Sequence, residues 1–227
     1  MRISTAQIFQ QGVSSMLNKQ TELATTQQQL STGKRILTPS DDPAASIRIL
    51  DLNQVIETTS QYQRNADFAE TRLAMEESVL TEVGDVLQRV RELSVRANNA
   101  TSSASDRQSM AAEVRINIES LVHLTNSTDA NGEYLFSGFK TNTEPFADNG
   151  TGNFTYAGDQ GQRSLQIGAK SQVSVGDSGA DVFMKVDDGA GGTGSMFSAL
   201  YDFAVDLEAN TPSATTLNRL DSAMDVV

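Results

Sequence analysis

Apolar side chains between residues 62 and 97 recur at alternating steps of four and three. This spacing is a heptad repeat, in which the recurring positions share one face of an α-helix and pack against a neighbouring helix. Its members are Tyr62, Ala66, Ala69, Leu73, Glu76, Leu80, Val83, Leu87, Val90, Ser94 and Ala97. Only Glu76 and Ser94 are polar, so the pattern predicts a long helix with one continuous buried seam.

A second apolar row lies beside this seam, at Val79, Val86 and Leu93. The combined stripe is wider than a two-stranded coiled coil requires and favours packing against several neighbours. We expect a single helix from Pro43 to about Ala100, roughly 87 Å long at about 1.5 Å per residue. The pattern therefore favours a bundle of long helices.

A weaker heptad runs through residues 1 to 35. Two of its positions are Gln20 and Gln27, and its apolar positions are Phe9, Val13, Met16, Leu23 and Leu30. So little apolar surface cannot stabilise a lone helix, because isolated helices are marginal in water. We expect this segment to become helical only against partner chains; the alternative is a helix already docked on its own domain. Gly33 is predicted to end it.

Four residues, Ser40, Asp41, Asp42 and Pro43, stand where the long helix should begin. Two adjacent carboxylates are compatible with a metal site or acid–base chemistry. Capping explains them better, because a Ser or Asp side chain accepts hydrogen bonds from the free N–H groups of a helix start. Proline is favoured at the first helical position. We interpret these four residues as a helix cap.

A second helix is predicted after a polar turn at residues 98–103. Ser105 with Gln108 indicates a capping box, and the apolar face carries Met110, Val114, Ile118, Leu121 and Leu124. This helix should end by about Asp129. The short turn predicts that the two helices form an antiparallel hairpin.

Glycine enrichment marks the segment that follows, with eleven of the sixteen glycines between Gly150 and Gly194. Asn131-Gly132 predicts a turn and residues 133–136 a short β run in a hairpin. Two-residue alternation predicts strands at 154–156, 163–167 and 172–175, with 158–161 as the hairpin loop between the first two. We expect a small β-rich domain over 141–195. Residues 187–192 are interpreted as a flexible linker rather than a calcium loop.

Helical spacing resumes between Met196 and Leu207, and Thr211-Pro212 predicts the start of a further helix. The apolar stripe of that helix still runs at Val227, so we expect a further C-terminal helical segment. The predicted fold class is mainly α with a β insertion, in which a long-helix antiparallel bundle carries a β-hairpin and a small outer β-rich domain. The predicted domains are 1–40, 41–140 together with 196–227, and 141–195.

Charge and composition exclude several classes of protein. The net charge of −12 argues against nucleic acid as a general partner, although residues 1 to 35 alone carry +3. There is no Cys, His123 is the only histidine, and no nucleophile, phosphate-loop or dinucleotide motif is present. Cofactors, metal ions and catalysis are therefore not expected. No apolar run is long enough for a signal peptide or a membrane span, so an exported chain would need another route.

Five short motifs identify a resemblance that covers nearly all of residues 1 to 147. The chain resembles the flagellin superfamily in Met1-Arg2-Ile3-Ser4-Thr5, Leu30-Ser31-Thr32-Gly33-Lys34-Arg35-Ile36, Pro39-Ser40-Asp41-Asp42-Pro43, Gln61-Tyr62-Gln63-Arg64-Asn65 and Val90-Arg91-Glu92-Leu93. The start Arg2-Ile3-Ser4-Thr5, the Asp42-Pro43 cap and the run 132–138 followed by Pro145-Phe146 resemble its hook-associated members more than its filament members.

The resemblance implies a structural part of the bacterial flagellum, secreted through the flagellar type III channel without a cleaved signal. It also implies a position between the hook and the filament. The implied partners are copies of the chain in a ring, the other hook-filament junction protein on the hook side, flagellin and an export chaperone. Residues 1–40 would be the export and inner-tube segment, 41–140 with 196–227 the rod, and 141–195 the outer domain. The expected assembly residues are Ile3, Phe9, Val13, Met16, Leu23, Leu30, Tyr62, Leu73, Leu80, Val83, Leu87 and Val90.

Three alternatives remain at this point. A filament flagellin shares the superfamily pattern and would differ mainly in copy number. A cytosolic coiled-coil scaffold fits the heptads but not the glycine-rich insertion. An enzyme with its site in the β-rich domain would need convergent acidic groups in a deep pocket.

Overall fold

Long helices dominate the computed structural model, which describes residues 5–187, 192–213 and 215–226. The helices are α1 (Thr5–Thr32), α2 (Pro43–Ala97), α3 (Ala104–Thr125), α4 (Gly179–Phe183), α5 (Met196–Glu208) and α6 (Thr215–Val226). The strands are β1 (Phe146–Asp148), β2 (Phe154–Tyr156), β3 (Ser164–Gln166), β4 (Gln172–Ser174), β5 (Val186–Asp187) and β6 (Thr193–Gly194). The predicted fold class, mainly α with a β insertion, is confirmed.

Two units make up the chain, residues 1–60 and residues 61–227. The first unit contains α1, the turn after it and the start of α2. Gly33 ends α1 in the left-handed region with φ 66°, where glycine adds no steric cost. The division at residue 60 falls inside α2, whereas the sequence placed the first domain boundary at residue 40, in the turn before α2.

The second unit is built around the seam of α2. Val83, Leu87 and Val90 are fully buried, and they share one core with Met110 and Val114 of α3 and with the apolar faces of α5 and α6. Interhelical ion pairs flank this core: Arg89 with Glu113, Arg91 with Asp221, Arg115 with Glu208 and Arg219 with Asp202. The C-terminal part of the predicted seam is therefore the core of the chain's own helical bundle.

Five phenylalanines join the β insertion to this bundle. The Phe146 ring lies 5.5 Å from Phe183 and 5.2 Å from Phe197 between ring centroids, and Phe154 stacks on Phe197 at 5.2 Å. Phe136 completes the cluster at 5.1 Å from Phe183. These rings belong to the same core as the α2 seam. The described part of the insertion therefore shares its hydrophobic core with the helical bundle.

The strand pairing differs from the prediction. β1 pairs with β2, β3 with β4 and β5 with β6, each antiparallel. The loop at 149–153 closes the first hairpin, because Gly150 and Gly152 supply positive φ values of 76° and 79°. The predicted loop at 158–161 closes no hairpin; Asp159 Oδ1 instead accepts from Phe139 N and Gly161 N, which folds that segment onto the preceding turn.

The predicted β run at 133–136 is also wrong. Only a single bridge forms there, between Thr128 and Tyr134. Asp129 explains this, because its carboxylate accepts from Asn131 N at 2.8 Å and from Glu133 N at 3.0 Å. The segment is held as a tight loop whose backbone groups are already bonded.

Two helix starts lie away from their predicted positions. Ser103 and Asp106, not Ser105 and Gln108, form the capping box of α3. The last helix begins at Thr215, because Thr211 N donates to Asp206 O and Asn210 adopts φ 59° at the end of α5. Thr211 therefore finishes α5 instead of starting α6. The interpreted linker at 187–192 lies mostly outside the described residues, as does Val227.

Candidate assembly surfaces

The apolar stripe of α1 is exposed along its length. The predicted residues Phe9, Val13, Met16, Leu23 and Leu30 expose between 43% and 84% of their surface. Ile8 and Leu17 widen the stripe at 59% and 58%. Contiguous apolar surface of this kind marks a binding or assembly face. Ile3, the remaining predicted residue of this segment, lies outside the described residues.

The first turns of α2 carry a second exposed apolar set that the sequence analysis missed. It comprises Ile47, Ile49, Leu50, Leu52, Val55 and Ile56, with exposures from 44% to 69%. The signal was available as six aliphatic residues within ten positions. It was missed because the polar Thr59 separates these positions from the heptad seam, and of the six only Leu52 and Val55 keep its register.

The two carboxylates before α2 accept different hydrogen bonds. Asp42 caps the helix, since its Oδ1 accepts from Ala45 N at 3.0 Å. Asp41 instead accepts from Leu37 N and Thr38 N, both at 2.9 Å, and so closes the turn before it. These backbone hydrogen bonds lower the pKa of both carboxyls. Pro43 is the first residue of α2, as predicted.

Arg35 ties that turn to the cap by donating from Nη2 to Asp42 Oδ2 at 3.1 Å. Gln29 of α1 reaches the same turn, with its Nε2 donating to Arg35 O at 2.8 Å. Ser40 lies in the turn itself. These bonds fix the connection from the exposed stripe to α2.

The seam residues of α2 divide into two groups. Val83, Leu87 and Val90 are 0% exposed and leave no surface for a neighbouring copy, so their packing is internal. Tyr62 and Leu80 are half-buried, and Leu73 is 39% exposed. Leu73 and Leu80 line a groove of about 540 Å³ along α2. Among the predicted assembly residues of α2, this second group keeps accessible surface in the described chain.

A buried ionic cluster fixes the loop after α3 against α2. Arg72, only 4% exposed, donates from Nη1 to Asp129 Oδ2 at 2.9 Å and from Nη2 to Tyr134 O at 3.3 Å. Glu133 lies 3.8 Å from Arg72 and 2.6 Å from Arg163. A buried guanidinium needs such partners, because an unpaired buried charge is strongly unfavourable.

Glu76 forms the next contact one turn further along α2. It is 4% exposed, and its Oε1 accepts from Asp177 N at 2.8 Å, which attaches the chain after β4. Burial raises the pKa of this carboxyl above its ordinary value, although the hydrogen bond from Asp177 acts in the opposite direction. The apparent exception in the heptad is thus a polar anchor for the β insertion.

In the ranges that the structure describes, no three of His, Asp and Glu come together as a metal site. No helix among them is long and apolar enough to cross a membrane. His123 is exposed in the last turn of α3. The exposed apolar faces of α1 and of the first turns of α2 are the features that need a functional explanation.

Comparison with known proteins gives a consistent set of relatives. Residues 3–141, more than half of the chain, match the family described as the bacterial flagellin N-terminal helical region. The Flagellar hook-associated protein 3 of Salmonella typhimurium is 38% identical over 190 residues, which cover 84% of this chain and 59% of that protein. A phase 1 flagellin of Salmonella naestved is 36% identical over 122 residues, 53% of this chain and 24% of that protein.

A solved structure supports the fold. The flagellar hook-associated protein-3 of Legionella pneumophila superposes with a TM-score of 0.74 at 21% identity, covering 78% of this chain and 88% of that one. The chain spans about three fifths of the length of the curated hook-associated relative that it matches.

Proposed function

The chain belongs to the bacterial flagellin family, and from that membership we propose that it is a structural component of the flagellum that joins the hook to the filament. One observation carries the choice within the family. The similarity to the hook-associated relative extends over 84% of the chain, whereas the similarity to the flagellin covers 53%. The residues shared with the hook-associated relative thus extend into the β insertion.

Assembly proceeds through the exposed apolar stripes of the first unit. Burying one large apolar side chain contributes about 1.5–3 kcal/mol. Phe9, Met16 and Leu30 are each at least three quarters exposed, so burying these three alone yields a gross gain of about 4.5–9 kcal/mol. Part of this gain is lost to the entropy of association. Packing of α1 against neighbouring copies in a ring therefore supplies part of the driving force, and the other exposed apolar side chains of the first unit add to it.

Each predicted domain has its own role in export and assembly. Residues 1–40 form the export and inner-tube segment, residues 41–140 with 196–227 form the rod, and residues 141–195 face outward. On the hook side the ring contacts the other hook-filament junction protein, and on the filament side it contacts the first flagellins. An export chaperone delivers the unfolded chain to the type III channel, and no signal peptide is cleaved.

Deletion of the gene tests this proposal. The deletion strain should make hooks without attached filaments and release flagellin into the medium. The full-length gene should restore filaments. A deletion strain with normal filaments would refute the proposal.

Point variants test the stripe separately from export. Met16→Asp places a charge in the middle of the stripe and should abolish filament attachment. Asn18→Asp introduces a carboxylate on the opposite face of α1 and should leave attachment intact. Both variants must be recovered in the medium, so that failed export is distinguished from failed assembly. Equal attachment for the two variants would remove the stripe from the proposal.

A filament flagellin is the second candidate, favoured by the family match and by the similarity to the flagellin. The two candidates differ in copy number. A filament subunit dominates sheared flagella on a gel, whereas a junction ring contributes a trace band.

A further inference from the structure

Two Asn-Gly pairs lie in exposed turns, Asn131-Gly132 and Asn149-Gly150. Glycine leaves the side-chain amide of the preceding asparagine open to attack by the next backbone nitrogen, because no Cβ obstructs the approach. In both turns the glycine has a positive φ and open space around its Cα. The two sites thus begin with the same intrinsic chemistry.

The surroundings of Asn149 add two features. Asp148 Oδ1 accepts a hydrogen bond from Gly150 N at 2.8 Å, which places a carboxylate on the nitrogen that would attack. Thr151 donates to Asn149 Oδ1 from its backbone N at 3.2 Å and from its hydroxyl at 2.8 Å. Two donors on a carbonyl oxygen stabilise negative charge that develops there during attack.

Asn131 provides the internal comparison. Gly132 N donates to the backbone oxygen of Asp129 at 3.0 Å, and a peptide carbonyl is not a base at neutral pH. The Asp129 carboxylate is occupied by the N–H groups of Asn131 and Glu133, and not by Gly132 N. The turn at 131 therefore lacks the base that the turn at 149 has.

We propose that Asn149 is a self-modifying site, which deamidates spontaneously with Asp148 as general base and Thr151 as the donor pair for the oxyanion. Gly150 N bonds to Asn149 Cγ as its proton passes to the Asp148 carboxylate. The proton then leaves with the side-chain nitrogen as ammonia, and a five-membered succinimide remains. Water opens the ring at either carbonyl, which leaves aspartate or isoaspartate at position 149. A positioned base and a preorganised donor pair each accelerate such a step.

The product alters a tightly packed hairpin. Position 149 begins the loop between β1 and β2, and Gly152 in that loop packs so closely on Tyr201 of α5 that a methyl group would overlap the ring. Ser198 of α5 also donates to Gly152 O at 3.3 Å. Isoaspartate lengthens the backbone at position 149, so it displaces this loop from α5. Either product adds a negative charge at the hairpin tip.

The test measures how fast Asn149 and Asn131 convert to aspartate and isoaspartate in the purified full chain at neutral pH. Peptide mapping with chromatographic separation of the two products gives both rates. In the folded chain, Asn149 should convert at least about tenfold faster than Asn131. In urea the two positions should convert at similar rates, because the hydrogen bonds of the folded loop are lost. This comparison needs no mutation and does not depend on flagellar assembly.

Single substitutions test the roles of the Asp148 carboxylate and the Thr151 hydroxyl. Asp148→Asn keeps an acceptor oxygen but removes the base, and Thr151→Val removes the hydroxyl donor; each should slow conversion at Asn149 by about tenfold. Thr155→Val is the control: it makes the same threonine-to-valine change in β2, outside the loop, and should leave the rate at Asn149 unchanged. Equal rates at 149 and 131 in the folded chain, or an unchanged rate in either Asp148→Asn or Thr151→Val, would overturn the proposal.

Discussion

Replacing Glu76 with alanine should destabilise the chain far more than replacing it with glutamine. The Glu76 carboxylate is 4% exposed and accepts from Asp177 N at 2.8 Å. Alanine leaves that N–H without its acceptor, which costs about 1–3 kcal/mol. For a chain of this size each kcal/mol lowers the melting temperature by about 2–4 °C, so Glu76→Ala should lower it by about 2–12 °C. Glutamine keeps both the volume and an acceptor oxygen.

The pH dependence distinguishes the two variants further. Burial raises the pKa of the Glu76 carboxyl above the ordinary value of 4.5, and the charge of Asp177 adds to this effect. A group whose pKa is higher in the folded state contributes stability that is complete below the unfolded pKa and is lost as the pH rises through the folded pKa. Glutamine does not titrate. Glu76→Gln should therefore remove the decrease in the free energy of unfolding that this carboxyl causes above about pH 4.5.

Urea denaturation over a series of pH values measures both effects. Glu77→Gln is the matched control, because Glu77 is exposed and the substitution changes the charge equally without touching Asp177. Equal losses for alanine and glutamine at position 76 would refute the role of the hydrogen bond. A pH profile that changes as much in Glu77→Gln as in Glu76→Gln would refute the assignment to burial.

Other substitutions test the packing of the second unit. Arg72→Met should cost about 3–5 kcal/mol in urea denaturation, because it strands the buried Asp129 carboxylate, and adding Asp129→Asn should restore part of the loss. Phe146→Ala should cost about 3–5 kcal/mol in calorimetry, since it empties the centre of the aromatic cluster. Ser103→Ala should cost about 1 kcal/mol by removing the cap of α3. Gly152→Ala should destabilise by more than about 1 kcal/mol, because a methyl group at φ 79° meets a ring of α5. An unchanged unfolding transition in any of these variants would contradict the corresponding contact.

The long helices were predictable because their information is local and repeated. Pro43 and Gly33 mark helix boundaries by backbone geometry alone, and the seam from Val83 to Val90 follows from spacing. The exposure of Leu73 was not predictable from the sequence. Heptad spacing shows which positions face a neighbouring helix, but it does not show which turns of the seam are covered by the chain's own helices. Seam spacing also cannot separate packing within a chain from packing between copies.

The errors in the β insertion have a common cause. Short strands carry little periodic signal, so turn chemistry decides where a hairpin closes. The loop at 149–153 closes one, whereas the predicted loop at 158–161 does not. Asp159 and Asp129 decided the outcome by accepting backbone N–H groups that a hairpin would otherwise have used. Glu76 was noticed only as an exception to the heptad, because its partner lies 101 residues away. Contacts at that separation leave no trace in a single sequence.

The hairpin β3–β4 shows where the chain tolerates growth in length. Its strands pair in register from Ser164 with Ser174 to Gln166 with Gln172, and its connection at 167–171 is exposed or only half-buried. Doubling the length of a flexible loop costs only about 0.6 kcal/mol of closure entropy. Insertions at this tip would enlarge the β insertion while the aromatic cluster and the helices stay as they are. Size variation among homologous chains should therefore concentrate at this connection.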